Sequence, residues 1–257
     1  LGALTSVSTY AHNVFINSHQ SPTEPFTMVT LGYGHELPIE SFLVTDSVTV
    51  ELQNYQIHGP DNSVVDLDIP EPSSSPAIET PTLLRAQRGS VGAYMLHHDK
   101  AVGGTYQVSA SSKPRYLTIY KDGNGKSQIR QIPMDEVLAA DSDADVEKSY
   151  QFNYFAKTVF AVDEWSAPTP LGHTLEIIPE ADLTAVKPGE LVKFKVLFNG
   201  RPVRIVRATV GATNRSFAAG DGPKSFVLSS YITDGTAQFT FPHGGQWYLS
   251  TILDLDT

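Results

Sequence analysis

Apolar and polar residues alternate with a period of two along much of the chain, the pattern of strands with one buried face. It is cleanest from Leu191 to Phe198. There Val192, Phe194, Val196 and Phe198 share one face, and Lys193 and Lys195 take the other. β-Branched and aromatic residues predict further strands at 26–30, 47–52, 91–96, 104–109 and 116–120. After residue 166 the predicted strands are 173–178, 203–206, 226–232, 236–241 and 246–252. Asp122-Gly123-Asn124-Gly125, Asn199-Gly200 and Asp234-Gly235 sit between strands as hairpin turns.

A helical pattern is confined to one short segment, 133–140, opened by Pro133 with Asp135 and Glu136 in its first turn. Ser166-Ala167-Pro168-Thr169-Pro170 has the proline spacing of a linker. About six strands follow it, the density of an immunoglobulin-like sandwich. The expected fold is all-β: two immunoglobulin-like β-sandwich domains, 12–165 and 166–257, with at most one or two short helices.

Composition narrows the function classes. The chain has 257 residues, a net charge of −10 and no cysteine. The acidic balance argues against a nucleic-acid surface, which needs cations to displace counterions. Absent cysteine excludes disulfide scaffolds, thiolate metal sites and cysteine nucleophiles. No stretch approaches the roughly 18 apolar residues of a membrane span. The start of the sequence adds an address. Residues 1–11 are small and apolar and end Thr9-Tyr10-Ala11, like the tail of a secretory signal cut before His12. A Gram-negative periplasmic location is the expectation.

Eight histidines make imidazole the ligand in supply. With carboxylates it suits nickel, cobalt, zinc or copper(II). With no thiolate and three methionines, copper(I) is disfavoured. His12 shares a strand face with Val14 and Ile16, and as a mature N-terminus its amine and ring would close a chelate. The plain alternative is a strand-start histidine with a satisfied hydrogen bond. His35 lies in a loop shaped by Gly34 and Pro38, beside Glu36 and Glu40. His97 and His98 end a strand and point to opposite faces, so one of them at most enters a given site. His58 and His243 are turn residues, and His19 and His173 carry no local signal.

Other chemistries find no motif. Phosphate-binding glycine loops, a Gly-x-Ser-x-Gly elbow and a His-Glu-x-x-His helix are missing. Asp141-Ser142-Asp143-Ala144-Asp145 imitates a calcium loop, but Val146 stands where glycine is required and Phe152 where glutamate is. It is expected to be a solvated acidic loop.

Ala11-His12-Asn13-Val14-Phe15-Ile16, Gly34-His35-Glu36-Leu37-Pro38-Ile39 and Gly104-Thr105-Tyr106 resemble a bacterial periplasmic family. So do Leu171-Gly172-His173-Thr174-Leu175-Glu176-Ile177-Ile178-Pro179, Lys187-Pro188-Gly189-Glu190, the stretch from Val196 to Val203, and Gly244-Gly245-Gln246-Trp247-Tyr248. The family is grouped as the periplasmic component of ABC-type cobalt/nickel transport. The resemblance implies a secreted, two-sandwich protein that binds a divalent transition metal and hands it to a membrane transporter. His12 and His35 match its histidine positions. Adding His97 or His98 is an inference from histidine supply and strand parity. The expected role is binding, not catalysis. Two rivals stand beside it: a copper oxidoreductase using an N-terminal histidine, and an envelope interaction or adhesion module with no metal.

Overall fold

A computed structural model describes residues 13–34, 43, 50–71, 78–79, 85–86, 90–205, 208–214 and 227–253. The chain is all-β, with one helix among the described residues. In order, the strands of the first part are β1 (Asn13–Gln20), β2 (Phe26–Gly34), β3 (Leu52–His58), β4 (Val64–Asp66), β5 (Ile78–Glu79), β6 (Arg85–Ala86), β7 (Tyr94–His97) and β8 (Gly104–Ser112). Then come β9 (Arg115–Lys121), β10 (Ser127–Arg130), helix α1 (Met134–Ala140), β11 (Asp145–Phe152) and β12 (Phe155–Val162). The last part holds β13 (Leu175–Pro179), β14 (Leu191–Phe198), β15 (Arg201–Pro202), β16 (Thr209–Asn214), β17 (Val227–Tyr231), β18 (Thr236–Thr240) and β19 (Trp247–Ser250).

Two antiparallel sheets enclose the first core, one ordered β1-β2-β7 and the other β12-β8-β3-β4. Val14 and Ile16 of β1, Val29 and Leu31 of β2, Tyr55 of β3, Val108 and Ala110 of β8 and Phe160 of β12 meet between them. Strand parity explains the layering: alternate residues of β8 enter this core. The intervening Thr105, Gln107, Ser109 and Ser111 face the other way, yet they too are buried. A third sheet, β10-β9-β11, carries α1, whose Val137 is buried. Pro133 caps that helix, and Asp135 and Glu136 lie in its first turn, as the sequence predicts.

The second core lies between β13-β14-β15 with β18 on one side and β17-β16-β19 on the other. Val192, Phe194 and Val196 alternate into it from β14, opposite Val210 and Ala212 of β16. Asn199 and Gly200 both have positive φ, 49° and 72°, which is the type I′ turn that an Asn-Gly pair favours.

Several predicted spans shift. The strand placed at 47–52 begins at Leu52, with 44–49 outside the described residues. The one placed at 91–96 runs from Tyr94 to His97. After the Asn199 turn only Arg201 and Pro202 form a strand. Val203 still donates to Val196 O at 3.0 Å, but the chain then turns away, with Ala208 N donating to Ile205 O. Asp141 behaves as a solvated turn residue: its carboxylate accepts from the backbone N–H of Gly123 and of Asp143 on the exposed surface.

Candidate functional site

β1 and β2 pair in register from Asn13 opposite Gly34 to Gln20 opposite Thr27. His12 and His35, the first two ligand candidates, lie outside the described residues. They are the chain neighbours of the paired Asn13 and Gly34. His97 is at the other end of this sheet, opposite Phe26. Eight residue steps along β2 separate Phe26 from Gly34, about 26 Å at a strand's rise. His97 and His98 are therefore not brought to the Asn13–Gly34 end of the sheet.

Exposure alternates along β7, with Tyr94 and Leu96 half-buried and Met95 and His97 exposed. His98 continues the inner face. Its Nε2 sits 3.0 Å from the hydroxyl of the fully buried Thr27, and its ring stacks on Phe160 at 5.9 Å between centroids. Phe160 stacks in turn on Tyr106 at 5.8 Å, giving a ladder of three rings. Desolvation holds the His98 imidazole below its ordinary pKa, against the opposing pull of Asp163.

His98 also divides two shallow cavities. One, of about 440 Å³, is polar and carries Glu24, Asp99 and Asp163. The other, of about 260 Å³, is lined by Ile57, Leu96, Tyr106 and Phe160. Among the described residues no three side chains of His, Asp or Glu converge in a way that could hold a metal ion. The carboxylates around His98 thus do not make a closed shell with it.

A second polar constellation, unforeseen in the sequence, lies where the outer face of β8 meets the segment leading into β13. Lys157 of β12 and Glu176 of β13 form an ion pair at 2.7 Å, with side-chain exposures of 10% and 2%. Glu176 Oε1 also accepts from Leu171 N at 2.9 Å, and its Oε2 from Gly172 N at 3.3 Å. Lys157 donates onward to Gln107 Oε1, and Gln107 Nε2 donates to Thr169 O. Thr105 and Ser166 bond reciprocally, each backbone N–H to the other's hydroxyl at 2.9 Å. The linker thereby satisfies Thr105 and Gln107 of the buried β8 stripe, while β3 serves Ser109 through His58 and Ser111 through Asn54.

Two histidines border this seam. His58, the last residue of β3, has Nε2 2.9 Å from Ser109 Oγ. His173 packs on Phe155 at 5.4 Å, and burial pushes its pKa down to about 4. Burial also lowers the pKa of Lys157, with Glu176 pulling it back up. These groups lock an interface and present no open coordination position. A lone glutamate inside the apolar run Leu175 to Ile178 was the signal available in the sequence.

A second contact line joins the two ends of the chain. Phe15, on the outer face of β1, meets Tyr248 edge-on at 5.8 Å, and Gln246 Nε2 donates to Ser18 O at 2.6 Å. Among the described residues no helix is long and apolar enough to cross a membrane. The model of a family described as a domain of unknown function matches residues 9–254. No curated protein matches the chain.

Proposed function

The chain belongs to the DUF4198 family, and from that premise we propose that it captures a divalent transition metal ion, nickel or cobalt, through His12 and His35. The observation that carries this reading is the register of Asn13 with Gly34. Directly opposed Cα atoms lie about 5 Å apart, and each adjacent residue adds at most about 3.8 Å. His12 precedes Asn13 and His35 follows Gly34 in the chain, so each is one residue from this opposed pair. Two imidazoles borne so near an opposed pair suit one shared ion, which needs nitrogen–metal distances of about 2.0–2.1 Å.

Removal of residues 1–11 on secretion would add the His12 amine as a third nitrogen. Neutral nitrogen donors suit late divalent ions and hold them without chemistry. Delivery to a membrane transporter from the periplasm is the role we assign to that capture. Calorimetric titration of trimmed, untagged chain with nickel and cobalt tests it. Saturable heat is expected for the parent and none for a His12→Ala, His35→Ala double variant. Equal heats from the two proteins would overturn the assignment.

One observation favours the interaction module as a second reading. Among the described residues strand β4 is a sheet edge, and Val64 and Val65 on it are more than half exposed, at 54% and 57%. Such an edge accepts an added strand from a partner.

A further inference from the structure

Among the described residues the outer face of β1-β2-β7 is covered at one end and exposed at the other. At the covered end Phe15 pairs with Gly32 and packs on Tyr248. Two residues on, Asn17 pairs with Thr30, and then His19 pairs with Met28. Met28 in turn pairs with Met95 on the far side. His19, Met28 and Met95 thus form one row across three strands, all on the same face and all exposed. His97 follows Met95 on that face and lies against the Phe26 ring at 6.3 Å.

The methionine count alone disfavours copper(I), but two of the three are cross-strand partners here, with His19 opposite Met28 and His97 two residues beyond Met95. Exposed methionine gains little from burial, so packing does not account for the row. Its chemistry does suggest a ligand. Thioether sulfur is a soft, neutral donor, and with neutral imidazole it selects copper(I) over harder divalent ions. Opposed Cβ atoms on neighbouring strands are about 4.5–5.5 Å apart. An ion above Met28 is then within the combined reach of the long His19 and Met95 side chains, and His97 is one pleat further along.

We propose that His19, Met28, Met95 and His97 form a surface site for copper(I). It is separate from the His12–His35 reading and does not depend on it. The test is an anaerobic titration of the full, untagged chain with copper(I) against a chromophoric chelator. X-ray absorption would then be measured on the one-to-one complex. One equivalent of copper(I) should be withdrawn from the chelator, with a sulfur shell around the metal. Met28→Leu with Met95→Leu nearly conserves volume, so the fold should hold. That pair should weaken copper(I) binding by about tenfold or more, a loss of about 1.4 kcal/mol. Met134→Leu should leave copper(I) binding as in the parent. So should His12→Ala with His35→Ala, which separates this site from the nickel reading. A parent complex with no sulfur shell, or a Met28→Leu, Met95→Leu protein within about twofold of the parent, would overturn the proposal.

Discussion

Lys157 Nζ lies 2.7 Å from Glu176 Oε1, and the pair ties the last strand of the first core to the first strand of the second. Both groups are nearly sealed from solvent, so each depends on the other for compensation. Truncating one partner of such a pair strands a buried charge, at a cost of about 3–5 kcal/mol. Lys157→Met should lower the midpoint of urea unfolding accordingly. Adding Glu176→Leu should restore much of the loss, because replacing both charges by apolar groups removes the stranded one. A double variant no more stable than Lys157→Met would show that the backbone donors Leu171 and Gly172, rather than the lysine, set the worth of Glu176.

Acid should loosen the same seam. The folded-state pKa of His173 is about 4, well below the ordinary 6.5. Above pH 6.5 the imidazole is neutral in both states and contributes no pH dependence. Between pH 6.5 and 4 the unfolded chain binds the proton first, so stability falls as pH falls, by up to about 3 kcal/mol. Unfolding free energies measured at pH 7.5 and 4.5 should differ less in His173→Gln than in the parent.

Phe15 fills the space above Gly32 so closely that a Cβ built on Gly32 would lie 1.9 Å from the phenylalanine ring. Gly32→Ala should destabilise by about 1–3 kcal/mol through overpacking. Phe15→Ala should cost about 3–5 kcal/mol as a cavity. The two losses should not add, since the shortened residue 15 makes room for the new methyl group. A double-mutant cycle by thermal or denaturant unfolding measures that coupling.

His98 stands about 26 Å along the sheet from the Asn13–Gly34 end. Its replacement by alanine should therefore leave the nickel binding proposed for His12 and His35 unchanged in calorimetry. The stacked ladder would suffer instead, because Phe160 and Thr27 both lose a partner. Lower thermal stability with intact nickel binding is the expected result.

Legibility in the sequence followed the contrast between faces. β14 alternates large apolar side chains with lysines, and its predicted span matches the observed Leu191–Phe198. β16 is equally central to its sheet, yet Thr-Val-Gly-Ala-Thr-Asn is small and polar enough to pass for a turn. Its neighbours on both sides supply the pairing that its composition does not advertise. β11 and β12 escaped for other reasons: β11, Asp-Val-Glu-Lys-Ser-Tyr-Gln-Phe, is mostly polar and exposed. In β12 Lys157 interrupts an apolar run, and nothing local distinguishes an exposed lysine from one paired with a distant glutamate. At the candidate sites, parity alone put His97 and His98 on opposite faces, which is how they lie. Sequence proximity could not say at which end of β2 they would sit, because that depends on which strand β7 chooses and in what register. The row of His19, Met28 and Met95 has the same origin, being visible only once three distant segments are aligned.

The polar stripe on β8 sets what would happen were the linker ever to peel away. Thr105 and Gln107, which bond the linker, would then meet water with a hydroxyl and an amide instead of hydrocarbon. Hydration would replace the lost bonds at modest net cost, each such bond being worth only about 1 kcal/mol. Along this strand a parted chain would stay dispersed and could close again without first escaping from aggregates.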